Sequence, residues 1–296
     1  MRTPITLFLA LLATTRARKR TSSSFPNNAT KLITDHDGSQ RMIKGRYAAP
    51  QQFPYMASIR TVEDNIHFCG GSVIHPGWVL SAALCFRDQY DGQELVKLSD
   101  LVVYADTTDS YTTEGVSRFV NNIIIHPNYK KTPEDVINNI ALLKLRSALY
   151  TFWKPLLHTS NIKPIKIGTI GIEAEVLALG WGSVRQNEEK EISPKLNYVT
   201  YVTKDSEKDG CQSSYEIVCA KSFIRDEGLC YYDAGGPLVD VSNGEDKLVG
   251  IVSHIYTNSC AAGHVEVFTR AASYVWWIME ETGIQLTPPK SIPSSS

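Results

Sequence analysis

Between Tyr47 and Thr269 the chain is a succession of short runs rich in Val, Ile and Tyr, set apart by Gly, Pro, Asn and Asp. That punctuation leaves little room for long helices and predicts strands. The runs are Tyr55–Arg60, Gly71–Ile74, Trp78–Ala82, Leu101–Tyr104, Gly115–Val120, Ile140–Leu145, Glu175–Gly180, Leu196–Val202, Pro237–Val241, Leu248–Ser253 and Val265–Thr269. Short strands at such regular spacing predict an all-β barrel or sandwich. Only Ala272–Glu281 (ASYVWWIMEE) repeats its apolar residues at helical spacing, with Gly283 as its stop. Hydrophobic residues at 43% and charged residues at 21% fit a packed globular protein. Beyond the helix, Thr287–Ser296 (TPPKSIPSSS) reads as a loose Pro/Ser-rich tail.

A different kind of sequence precedes the strands. Met1-Arg2 leads into the apolar run Ile5–Ala13 (ITLFLALLA), with small residues at Ala13–Ala17. A short positive start, an apolar run of this length and a small-residue exit predict a secretory signal peptide over 1–17. The run is far short of the roughly 20 residues a spanning helix needs. No later stretch is long and apolar enough, so membrane insertion is not expected. Residues 18–41 read as a propeptide-like spacer, with a basic cluster (Arg18-Lys19-Arg20), Ser/Asn/Thr-rich sequence, no Cys and one glycosylation sequon, Asn28-Ala29-Thr30.

Charge is divided unevenly. The whole chain carries −1, but Arg2, Arg16, Arg18, Lys19, Arg20, Lys31 and Arg41 against Asp35 and Asp37 put residues 1–41 at +5. The remaining body is therefore at −6. A nucleic-acid or heparin partner would call for a basic field, so neither is expected. Six cysteines in a secreted chain predict bridges, although many connectivities are open on number alone.

Several segments then resemble the trypsin/chymotrypsin family of serine proteases. They are Arg41-Met42-Ile43-Lys44-Gly45, Phe53-Pro54-Tyr55, His67-Phe68-Cys69-Gly70-Gly71-Ser72, Trp78-Val79-Leu80-Ser81-Ala82-Ala83-Leu84-Cys85, Asn139-Ile140-Ala141-Leu142-Leu143-Lys144-Leu145, Cys230-Tyr231-Tyr232-Asp233-Ala234-Gly235-Gly236-Pro237-Leu238 and Gly250-Ile251-Val252-Ser253. Order and spacing agree over about 42–283. The resemblance implies an all-β fold of two six-stranded barrels, about 42–155 and 156–270. A C-terminal helix over about 272–282 and a tail over 284–296 complete the expected organisation. It also implies the bridges Cys69–Cys85, Cys211–Cys219 and Cys230–Cys260.

The resemblance fails at the reactive groups. The family's reaction needs a hydroxyl nucleophile, an imidazole base and an orienting carboxylate. The matching positions are Ala234, Leu84 and Asn139, so no catalytic residue, cofactor or metal is expected. The glycine whose N–H helps hold the oxyanion is replaced by Tyr232, whose backbone is not expected to reach the conformation glycine permits. The specificity pocket's floor is Gly228, and its walls become Ile255 and Glu266. A buried Glu266 needs water or a partner, with His254 or His264 the expected choices. Ser253-His254 forms no dyad, because neighbouring strand residues face opposite ways.

Arg41 and Met42 stand where the family is cleaved on activation, and Asp233 matches the carboxylate that pairs with the freed amino terminus. Met42 and Lys44 depart from the family's Ile and Gly. Vacant triad, narrowed cleft and retained bridges resemble the inactivated protease paralogues of the scabies mite, relatives of the group 3 mite allergen proteases. His67–Gly71 and Val239–Asn243 are similar to segments of those allergens. This implies a secreted pseudo-protease, of the gut lumen in that family, that binds extracellular proteins and interferes with host complement or another plasma protease cascade. The alternatives are an arthropod immune cofactor assisting an active protease, an unconventional hydrolase, an antimicrobial protein and an inhibitor decoy. No Cys-rich clip domain precedes the body, the body is acidic, and the cleft is narrowed, which disfavour the first, third and fourth of these.

Overall fold

The computed structural model describes residues 45–87, 95–132, 136–150, 161–183, 191–206, 208, 209, 211, 214–225, 227–253, 260 and 263–288. The expected signal peptide, the spacer with Arg41 and Met42, His254, Ile255 and the last residues of the tail lie outside them.

The chain enters through β1 (Arg46–Tyr47) and builds β2 (Met56–Thr61), β3 (His67–His75), β4 (Trp78–Ser81), β5 (Leu101–Ala105) and β6 (Val116–Ile125). A small ribbon of β7 (Lys130–Lys131) and β8 (Val136–Ile137) follows, then β9 (Ala141–Leu145). The order β2-β3-β4-β9-β6-β5 closes an antiparallel barrel of six strands. The second half comprises β10 (Lys166–Ile167), β11 (Glu175–Gly180), β12 (Asn197–Lys204), β13 (Ile217–Ser222), β14 (Pro237–Asp240), β15 (Lys247–Val252) and β16 (Val265–Arg270). Here β12-β11-β14-β15-β16-β13 runs antiparallel and β13 returns to β12, closing a second barrel of six. The helix α1 (Val275–Thr282) follows a tight turn at Ala271–Tyr274.

Most predicted strands lie within a residue or two of the observed ones. Among strands longer than two residues the omission is β13, whose short apolar stretch Ile217–Ala220 gives way to Lys221 and Ser222. Pairing with β12 and β16 defines this strand, which no local pattern announces.

Alternation explains the packing. On β11, Val176 and Ala178 face the second barrel's interior with Val199, Tyr201, Val218 and Phe268. Leu177 and Leu179 point the other way, into a larger cluster shared with the first barrel's Val73, Leu80 and Leu142. One strand thus belongs to two cores, and its near-continuous apolar run (EVLALG) follows from burial on both faces. Three disulfides close, Cys69–Cys85, Cys211–Cys219 and Cys230–Cys260.

Candidate functional site

The two barrels bring three separated segments together. Leu84 sits half-exposed on the short turn Ala83–Cys85. Asn139 precedes β9 and is buried. Its Oδ1 accepts the backbone N–H of Leu84 at 3.0 Å, and its Nδ2 donates to Ser253 Oγ at 2.8 Å. The amide thus holds both partners, with its orientation fixed by one donor and one acceptor. Ala234 lies in the loop between Cys230 and β14, where its carbonyl accepts the Gly70 N–H at 2.8 Å. Leu84 and Ala234 present only carbon at their side-chain ends.

The loop itself keeps a demanding shape. Tyr232 has φ 75°. This corrects the expectation that a bulky residue would not reach the glycine-like conformation: tyrosine adopts it, at a cost of about 1–2 kcal/mol. Its ring, half-buried, packs against the large core cluster, and its carbonyl bonds to His67 Nε2 at 3.1 Å. These contacts hold the backbone there. His67 is wholly buried, and burial drives it down to about 3, so it is a neutral imidazole with both nitrogens engaged.

Asp233 is also fully buried. It accepts the Gly182 N–H at 2.7 Å and the Cys230 N–H at 2.9 Å. Burial outweighs these two bonds and pushes it up to about 7. Gly182 is required: a Cβ there would stand 2.2 Å from the Asp233 carboxylate.

Glu266, on β16, finds a different partner from those expected. Tyr201 Oη donates to its Oε2 at 2.8 Å, while Tyr201 Oη itself accepts the Leu229 N–H at 2.9 Å. His264 is exposed instead. β12 and β16 are not adjacent strands, since β13 lies between them, but all three curve around one interior, which lets Tyr201 reach across. Enclosure of the carboxyl end, followed in size by the lowering effect of Tyr201 and the repulsion of Asp233, leaves Glu266 pushed up to about 8. Gly228, expected at the pocket floor, is buried beside Leu229. Among the described residues, no group of three or more His, Cys, Asp or Glu side chains is placed to hold a metal, and no helix is long and apolar enough to cross a membrane.

Leu84, Asn139, Ala234 and Asp233 are marked in the sequence by flanking motifs, whereas no motif marks Tyr201, Ser58 or Arg60. The last two occupy alternate positions on β2, where a polar pair ordinarily marks a solvent face, yet both are buried.

Comparison with known proteins accords with this architecture. The family model for trypsin matches residues 42–278. The chain is 32% identical over 250 residues to trypsin II-P29 of Gallus gallus, covering 80% of this chain and 88% of that one. It is 30% identical over 240 residues to serine protease SP24D of Anopheles gambiae, covering 80% of each. Among solved structures, neuropsin, a serine protease expressed in the limbic system of mouse brain, aligns with a TM-score of 0.65 at 22% identity, covering 80% of this chain and 98% of that one. A two-barrel, disulfide-bridged domain with these matches defines a class: the chain belongs to the trypsin family of serine proteases.

Proposed function

We propose that this member of the trypsin family is proteolytically inactive and acts by binding, as a secreted protein that interferes with a plasma protease cascade, host complement in the first instance. The observation that carries the reading is the trio Leu84, Asn139 and Ala234. They occupy the positions at which the family places imidazole, carboxylate and hydroxyl, and their side chains can neither attack a carbonyl nor take a proton. His67 offers no substitute base, because both ring nitrogens are bound and burial keeps the ring neutral. The surrounding frame is retained, with its bridges, the Asn139 contacts and the Tyr232 backbone. A folded frame without reactive groups suits recognition, and three disulfides suit an oxidising compartment.

Two assays test the reading together. The secreted chain, intact and cleaved after Arg41, is expected to hydrolyse no member of a diverse peptide library above the buffer rate. It is expected to retain a complement component from plasma and to reduce complement-mediated lysis. Turnover that survives active-site titration for a contaminating protease would overturn inactivity. Unchanged lysis with no complement component captured would overturn the proposed target.

A further inference from the structure

We propose that Arg60 is a positioning residue for the loop around Tyr232, acting through Ser58 and His67. Arg60 is fully buried, yet no carboxylate oxygen among the described residues bonds its guanidinium. Its Nη1 donates to the Thr112 carbonyl at 2.7 Å and to Asn65 Oδ1 at 3.4 Å. Its Nη2 donates to the Asp109 carbonyl at 2.7 Å. The guanidinium carbon lies 4.2 Å from the centre of the Tyr104 ring. The Asp109 carboxylate is occupied elsewhere, by Lys195 and by the Tyr111 and Thr112 amides. Burying a cation on carbonyl dipoles and a ring is costly unless every donor is used.

A fourth donor, of the five N–H groups on its side chain, explains the placement. Arg60 Nε gives its proton to Ser58 Oγ at 2.8 Å, and Ser58 Oγ stands 2.8 Å from His67 Nδ1. His67 Nε2 meets the Tyr232 carbonyl at 3.1 Å. A carbonyl only accepts, so Nε2 carries the ring proton. A neutral ring then leaves Nδ1 as an acceptor, which takes the Ser58 hydroxyl proton. Each bond fixes the direction of the next, from Arg60 to Ser58 to His67 to Tyr232.

Strand geometry places the parts. Arg60 and His67 are register partners across β2 and β3, at a bulge after Ile59, and Ser58 lies two residues back on the same face. The other end of Arg60 pins the Asp109–Thr112 turn, which also binds the second barrel. Ser110 Oγ donates to the Ser193 carbonyl at 2.7 Å, and Leu196 donates its N–H to the Thr108 carbonyl at 2.6 Å. One side chain thus ties a surface turn of the first barrel to the loop carrying Tyr232, Asp233 and Ala234.

Nuclear magnetic resonance on the full folded chain tests this. Imidazole nitrogen shifts should place the His67 proton on Nε2, with Nδ1 accepting; a proton on Nδ1 in the parent protein overturns the relay. Amide exchange reads its effect on the loop, where Gly235 donates to the Val252 carbonyl at 2.9 Å and Gly236 to the Asp233 carbonyl at 3.0 Å. Ser58→Ala keeps the guanidinium and its carbonyl bonds, and should speed exchange at Gly235 and Gly236 by roughly fivefold or more. Core amides of β9 should stay within about twofold. Arg60→Met should do at least as much, and the double variant no more than Arg60→Met, because both changes cut one chain. Where Arg60→Met does not fold, Ser58→Ala decides alone. Parent-like loop exchange in Ser58→Ala, or equal acceleration throughout the domain, overturns the proposal.

Discussion

Asn139 satisfies two groups that would otherwise be stranded. The Leu84 N–H and Ser253 Oγ converge on it from different barrels, and it has one acceptor and one donor for them. Asn139→Ala should therefore cost about 1–3 kcal/mol in a urea titration, because it leaves the buried Ser253 hydroxyl and the part-buried Leu84 N–H without this partner. Glu266 makes a prediction of a different kind. Its carboxyl is raised from the ordinary range to about 8 by enclosure. A raised acid holds its proton longer in the folded than in the unfolded chain, so its contribution to stability falls as pH rises from about 4.5 to about 8. Glu266→Gln imitates the protonated form. The variant should match the parent near pH 4 and gain on it up to about pH 8, checked by urea midpoints across that range. A constant difference between the two curves would contradict the assignment. Leu84, Asn139 and Ala234 stand out in the sequence because short motifs flank them. Tyr201 does not, because the contact joins strands that are neither consecutive nor adjacent.

At the scale of elements, local chemistry was legible where it was local. The helix stop at Gly283 is one case: φ is 70°, and its N–H bonds to the Met279 carbonyl at 2.9 Å. A Cβ there would meet nothing within 4 Å. Gly283→Ala should thus report conformational strain alone, about 1 kcal/mol by denaturation, with no change in the helix's packing. Gly182→Ala should behave otherwise. Its Cβ would collide with the Asp233 carboxylate, so the loop must shift. A loss of about 3 kcal/mol or more is expected, with altered exchange around Cys230. β13 was illegible for the reason that its partners, not its residues, define it. Ser58 and Arg60, alternate polar residues on β2, are likewise buried for a non-local reason, Arg60 being held by the carbonyls of Asp109 and Thr112.

The described domain consists of two closed barrels sharing one large hydrophobic cluster. β11 contributes side chains to both interiors, so neither barrel can lose its core alone. The domain should unfold in a single transition, and Leu179→Ala, at a fully buried position, should cost about 2–5 kcal/mol of stability without splitting that transition. Two resolved transitions in calorimetry would refute a common core. A final consequence follows from Ala234. Phosphonylating and sulfonylating probes tag members of this family by bonding to a serine oxygen, and a methyl group offers them no atom to bond. If Ala234 stands at the family's nucleophile position, as proposed, a survey that counts proteases by such labelling would pass over this protein however abundant it is, and its presence would have to be measured by mass or by antibody.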